Sequence, residues 1–198
     1  MYFLLGALWA CEILAIKEFF MPDLSLVHRM TAYTAWADDV MLRNAEQLSE
    51  AELSAPRDAL FRSITGTFDH TLVVAEIFKA HIEGKSHPHT ARHRDTVLPF
   101  DAVAGRLRAM NDHYVALARR WTETKLAEVI SFEFVGGGEG RMSREDILLH
   151  FVNHATYHRG FVSTLLFQLK TKGAASDLTV FLRDIWPEMS SRIGEAAQ

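Results

Sequence analysis

Four stretches of this chain repeat apolar residues at steps of three and four, the spacing that lines them along one face of a helix. In the first, between Ser25 and Leu48, they are Leu26, Met30, Tyr33, Ala37, Val40 and Leu48. In the second, from Phe61 to Glu83, the polar residues Arg62, Thr65, Asp69, Glu76, Lys79 and Glu83 recur at three, four and seven, which leaves Phe68, Leu72, Val73, Val74, Ile77 and Phe78 facing inward. The third, about Asp101 to Trp121, carries Val103, Leu107, Met110, Tyr114, Leu117 and Trp121 on one seam. The fourth opens at Ser143 and continues to about Lys170, with Ile147, Phe151, His154, His158, Phe161, Leu165 and Leu169 on its seam. Amphipathic helices of this kind bury their apolar faces against one another, so the expected fold is all-α, an up-down four-helix bundle.

The connections carry their own signals. Ser49 stands three residues before Glu52, a capping-box spacing, and Pro56 then breaks the run. Residues 84–99, GKSHPHTARHRDTVLP, hold two prolines and no apolar period, which reads as a long solvated loop. Ile130, Phe132 and Phe134 alternate with polar neighbours ahead of glycines 136, 137, 138 and 140, so a small β-hairpin is expected before the last long helix. Ser143, with Asp146 three residues on, gives that helix its cap. Beyond Gly173 the sequence SDLTVFLRDIWPEM suggests a short terminal helix ending near Pro187.

Charge and cysteine content narrow the partners. The 198 residues hold 21 Lys and Arg against 25 Asp and Glu, a net charge of −4, so neither nucleic acid nor an anionic membrane surface is an expected partner. Residues 1–20 are apolar at first but then carry Glu12, Lys17 and Glu18, too charged for a spanning helix and without the basic start or cleavage site of a secretory signal. They are read as an extension ahead of a start at Met21, with the domain at 21–190 and a tail at 191–198. Cys11 is the single cysteine, so no intrachain disulfide can form, and a reducing, cytoplasmic setting follows. A domain beginning at Met21 has no thiol of its own; thiol chemistry there would use one brought by a substrate.

Ten histidines remain. His154 and His158 occupy core-facing positions of the fourth helix where a bundle wants leucine, four residues apart and on one face, the spacing at which two imidazoles share a metal ion. Each buried imidazole left unpartnered costs on the order of 1–3 kcal/mol, and a cation satisfies one nitrogen on each ring. His70 is the expected third ligand, on the buried second helix with Gly66 one turn earlier opening space beside it. Three neutral imidazoles leave positions for substrate, the arrangement of an open site. His150 drifts off the seam and is placed beside the site, touching substrate or ligands. His81, His87, His89 and His93 are read as members of the solvated loop in preference to a second metal site, and His28 and His113 as structural. Arg159 is assigned either to a substrate anion or to a helix-surface ion pair, and Gly160 to close approach of a neighbouring helix.

The segments SLVHRMTAYTAWADDVMLRNAEQLSEAEL, SITGTFDHTLVVAEIFKAHIEG and LLHFVNHATYHRG resemble the DinB family of bacterial four-helix-bundle metalloproteins over roughly Ser25 to Lys170. Its most specific part is the second-helix histidine followed far downstream by NHATYHRG. The resemblance implies a divalent ion, zinc or nickel, with iron or manganese as further options, bound by His70, His154 and His158. Family relatives include transferases using bacillithiol or mycothiol and related isomerases, so a thiol S-transferase with a low-molecular-weight thiol as co-substrate is the implied activity. A metal-dependent hydrolase and a non-catalytic, damage-inducible metal-binding protein are the alternatives. The family often continues HRG with glutamine; Phe161 stands there instead. A small-molecule substrate and a homodimer complete the expectation.

Overall fold

The computed structural model describes residues 25–171 and 173–196. Four long helices dominate: α1 (Ser25–Ala45), α3 (Ile64–Glu83), α4 (Phe100–Arg120) and α6 (Arg144–Gln168). Between them lie the short helices α2 (Glu50–Ser54) and α5 (Glu123–Ala127) and an antiparallel hairpin, β1 (Val129–Glu133) with β2 (Glu139–Ser143). The chain continues with α7 (Leu178–Asp184) and α8 (Trp186–Ala196). The expected bundle with its hairpin is therefore present. The short helix expected beyond Gly173 is α7, which ends at Asp184, three residues before Pro187; it is not the last, because Pro187 sits in the first turn of α8, where its missing N–H costs nothing. The proposed extension at 1–20 lies outside the described residues, and α8 runs on past residue 190. Among the described residues no helix is long and apolar enough to cross a membrane.

Around the core the order is α1, α4, α3, α6, each packing on two neighbours. The side-chain pairs fix the directions. Along α3 and α4, Phe68 meets Phe100, Glu76 pairs with Arg106 and Glu83 faces His113, so these two helices run parallel. Along α3 and α6, Ile82 meets Arg144, Phe78 meets His150 and His70 meets His158, so this pair is antiparallel. This one parallel step departs from a strict up-down order, and a parallel pair needs a crossover. After α3, a helix of 20 residues and thus about 30 Å long, the chain must travel back before α4 can begin. Residues 84–99 supply that return, and this is the physical reason for their length.

The crossover is not simply solvated. Arg94 reaches from it to Asp69 and, at 2.8 Å, to Glu76, and His89 sits 2.9 Å from Glu76. Covered this way, Thr65 and Asp69 are 2% and 1% exposed, although their period assigned them to the outer face. Pairing with Arg94 offsets part of the desolvation of Asp69, whose pKa burial still holds above the ordinary aspartate value, while the Thr65 hydroxyl finds no partner. In the core, Tyr114 stacks on Phe151 with ring centres 4.0 Å apart and donates its hydroxyl to the Ala75 carbonyl at 2.9 Å. The hairpin has the expected alternation: Ile130 and Phe132 turn toward the core while Val129, Ser131 and Glu133 stay exposed. Glycines 136–138 take φ near +97°, and a Cβ at Gly140 would run into the Phe132 ring.

Candidate metal centre

The register of α6 against α3 is set before any histidine is reached. Ser143 ends β2 and begins α6 with a full capping box: its N–H donates to the Asp146 carboxylate at 3.0 Å, and the Asp146 N–H donates to its hydroxyl at 3.0 Å. The next residue, Arg144, donates to the Ile82 carbonyl at the end of α3 at 2.8 Å and lies over the Trp121 ring. With the start of one antiparallel helix tied to the end of the other, positions three turns along α6 fall opposite the middle of α3. That puts His154 and His158 against His70.

At the other end, the segment before α3 folds back over its first turn. Ser63 caps α3 through the Gly66 N–H at 2.9 Å. A Cβ on Gly66 would collide with the Phe61 carbonyl oxygen, so the glycine admits this close turn. Arg62 adopts a left-handed backbone, φ 63°, to complete it, a conformation that costs a non-glycine residue about 1–2 kcal/mol. The product is Phe61 stacked on His70, ring centres 3.8 Å apart and 13° from parallel, with its edge toward His158 at 5.4 Å. The other side of this segment borders a cleft of about 880 Å³ that Phe61, Gly66, Asp69 and His93 help to line.

The three rings converge. His70 and His154 bring their Nε2 atoms to 3.1 Å, and one nitrogen from each of His70, His154 and His158 lies within 4.8 Å of the others. Nδ1 of His70 donates to the Arg92 carbonyl at 2.6 Å, which fixes the tautomer and leaves Nε2 with its lone pair toward His154. At that separation the His154 Nε2–H donates to His70 Nε2, or, with both nitrogens deprotonated, a cation between them takes the place of that proton. Nδ1 of His158 is buried with no hydrogen-bond partner. Burial pushes the pKa of all three rings far below the ordinary histidine value, to about 4 for His70 and His158 and about 3 for His154; neighbouring rings add to the effect, while the Arg92 carbonyl partly opposes it at His70. At neutral pH the site presents three uncharged imidazoles. That donor set, one tautomer locked and one nitrogen orphaned, fits a borderline divalent ion.

A model of the DinB family matches residues 21–190 of the sequence. The chain belongs to the DinB family. Its fold is similar to a solved DinB-like protein from Bacillus cereus ATCC 10987, at 21% identity and a TM-score of 0.53, over 73% of this chain and 91% of that one. It is similar too to a conserved protein from Enterococcus faecalis, at 14% identity and a TM-score of 0.50, over 71% and 95% of the two chains. No curated protein matches it.

Within this DinB-family chain, the remaining residues singled out in the sequence fall in several places. His150 lies beside the centre, its ring 5.6 Å from His154 and 4.4 Å from Phe78, with Nε2 buried and unpartnered. It is not one of the three converging rings. Arg159 contacts neither a substrate pocket at the triad nor the helix surface: 6% exposed, it donates to Asp38 at 2.8 Å and to Thr156 at 2.7 Å and lies over Tyr33. The one-residue offset from His158 turns it about 100° around α6, toward α1. No neighbour approaches Gly160, where a Cβ would meet open space. Phe161 is 36% exposed, and Val162 takes its place in the core. His81 is no loop residue; it sits buried in the last turn of α3. Phe61 and the Arg92 carbonyl carried no sequence signal. The first acts through a strained turn and the second through its backbone, and neither leaves a residue pattern.

Proposed function

We propose that this chain is a metal-dependent enzyme acting on a small molecule, a thiol S-transferase whose divalent ion is held by His70, His154 and His158. The observation that carries the reading is the 3.1 Å approach of two imidazole nitrogens, one of them deprotonated by its partner on the other side of the ring. A zinc- or nickel-type ion bound there supplies positive charge that favours the thiolate of a bound low-molecular-weight thiol and polarises an electrophile.

The chain's own groups support transfer over hydrolysis. The cluster contains no carboxylate to act as general base toward water. Its surroundings are aromatic: Phe61 covers His70, and Tyr157 and Phe161, 58% and 36% exposed, stand against His158 with ring centres 5.0 and 5.9 Å away. Such an aromatic rim favours an electrophile with an apolar body. His150 Nε2, without a partner beside His154, is the atom we assign to receive the thiol proton.

The test begins with protein purified without a metal-charged column. Elemental analysis should find about one divalent ion per chain, and His158→Ala should lower occupancy while leaving the helical spectrum intact. A panel of thiols with an electrophile should show turnover that requires both thiol and metal. Protein that stays metal-free after addition of zinc, nickel or manganese overturns the reading. Turnover unchanged without thiol replaces transfer by hydrolysis, and loss of folding together with the metal makes the ion structural.

A further inference from the structure

A second pair of imidazole nitrogens is left without partners where α3 meets the crossover. His81, 8% exposed, stacks on Phe132 of β1 with ring centres 4.3 Å apart and 18° from parallel. Its Nε2 is closed to solvent and has no hydrogen-bond partner. His87, six residues further on, brings its ring centre to 5.3 Å from that of His81, and its Nδ1 is likewise buried and unpartnered. Both rings line a cleft of about 630 Å³ whose opposite wall is the hairpin, with Glu133 and Phe134. His89 lines it too, but its Nε2 is committed to Glu76 at 2.9 Å.

A structural histidine in such a place normally hands its buried nitrogen to a carbonyl or a carboxylate. Neither does so here. Two imidazoles on one ion, each with its nitrogen about 2.0–2.1 Å from the metal, have ring centres roughly 5 Å apart. The triad spans 4.4 to 5.0 Å on this measure, and His81 with His87 stands at 5.3 Å. The stack on Phe132 holds the His81 ring in orientation, as a supporting contact does for a ligand histidine. We propose that His81 and His87 form a second, weaker metal site that takes a borderline divalent transition ion of the copper, nickel or zinc type, its remaining positions open toward the cleft.

One ligand comes from the helix and the other from the crossover, so occupancy ties residue 87 to α3. The same crossover supplies the Arg92 carbonyl that orients His70. Filling the second site should therefore tighten the first, and by linkage the reverse.

The experiment uses the full chain with the triad removed, His154→Ala/His158→Ala, titrated with copper(II) and followed by calorimetry and electron paramagnetic resonance. The expected result is one saturable equivalent with hyperfine coupling to two imidazole nitrogens, lost when His87→Ala is added. His87 lies in a connecting loop, so that variant retains the bundle; His81→Gln serves as the companion. Absence of a saturable equivalent, or one that survives His87→Ala, overturns the proposal. Because the triad is already gone from this background, neither result bears on the reading of the main centre.

Discussion

His158 and Arg159 are neighbours on α6 and are buried to nearly the same degree, at 4% and 6% exposure. Arg159 faces α1 and is supplied with partners: Asp38 at 2.8 Å, Thr156 at 2.7 Å and the Tyr33 face; Asn111 donates its amide N–H to the second Asp38 oxygen at 3.1 Å, and only its own Oδ1 is left without a partner. His158 faces α3, and its Nδ1 has none. The difference separates two reasons for placing polar atoms in a bundle. A buried charge pair whose carboxylate and guanidinium answer one another belongs to the fold, whereas converging imidazoles with a nitrogen left over form a donor set that can hold a cation.

The largest effect expected from this contrast lies on the α1 side. Asp38→Ala leaves the Arg159 guanidinium buried without its counter-charge and should cost about 3–5 kcal/mol, read from urea unfolding at neutral pH. Replacing both partners, Asp38→Leu with Arg159→Met, should recover most of that loss. A single-variant cost below about 1 kcal/mol would place Arg159 beside His158 and erase the distinction.

On the α3 side the cost to stability is smaller. In protein stripped with chelator, His158→Leu replaces an unpartnered imidazole by an apolar side chain of similar size and should change stability by less than about 1.5 kcal/mol. The same variant should weaken metal binding by on the order of 100-fold or more, since disturbing even the supports of a ligand costs 10–100-fold. Equal losses of stability at residues 158 and 159 in the stripped protein would contradict the comparison.

Acid sharpens it further. The folded pKa values, about 3 to 4, lie below the ordinary histidine value of 6.5, so between these limits the unfolded chain binds protons that the folded chain refuses. Stability of the stripped protein is therefore full above about pH 6.5, falls as the pH drops toward 4, and levels off below about 3. Circular-dichroism melts across that window should show the decline. His154→Leu, which removes the ring with the lowest pKa, should flatten it most.

What the sequence made legible follows from how each feature is encoded. His154 and His158 stood out because a helical seam has a period and an imidazole interrupts it; Ser143 with Asp146 and the glycines at 136–138 were legible because caps and turns have local residue requirements. Long-range cover has no such code. The period of α3 assigns Asp69 to solvent because it knows nothing of a crossover that returns 25 residues later with Arg94. Arg159 reads from sequence as a contact to a substrate anion or a helix-surface pair, and not as part of the core, because Asp38, its partner, stands 121 positions away. Gly160 shows the converse: glycine permits close approach but does not compel it, and here nothing comes near.

The smallest of the expected effects tests whether that long-range cover belongs to the metal centre. Arg94 pins the crossover to Asp69 and Glu76, and two residues earlier the Arg92 carbonyl holds His70 Nδ1 at 2.6 Å. Arg94→Ala removes the pin but no ligand. Freed from α3, the carbonyl no longer selects the tautomer that presents Nε2 to the ion, and the His70 ring regains rotation that metal binding must then arrest. Affinity should fall by about tenfold, in a calorimetric titration with zinc. Arg106→Ala is the control: it too contacts Glu76, from α4, but has no connection to residue 92, and its effect should stay within about threefold at comparable loss of surface charge. If the two variants weaken binding equally, Arg94 acts through the shared Glu76 charge alone, and the crossover is a covering rather than a support for His70.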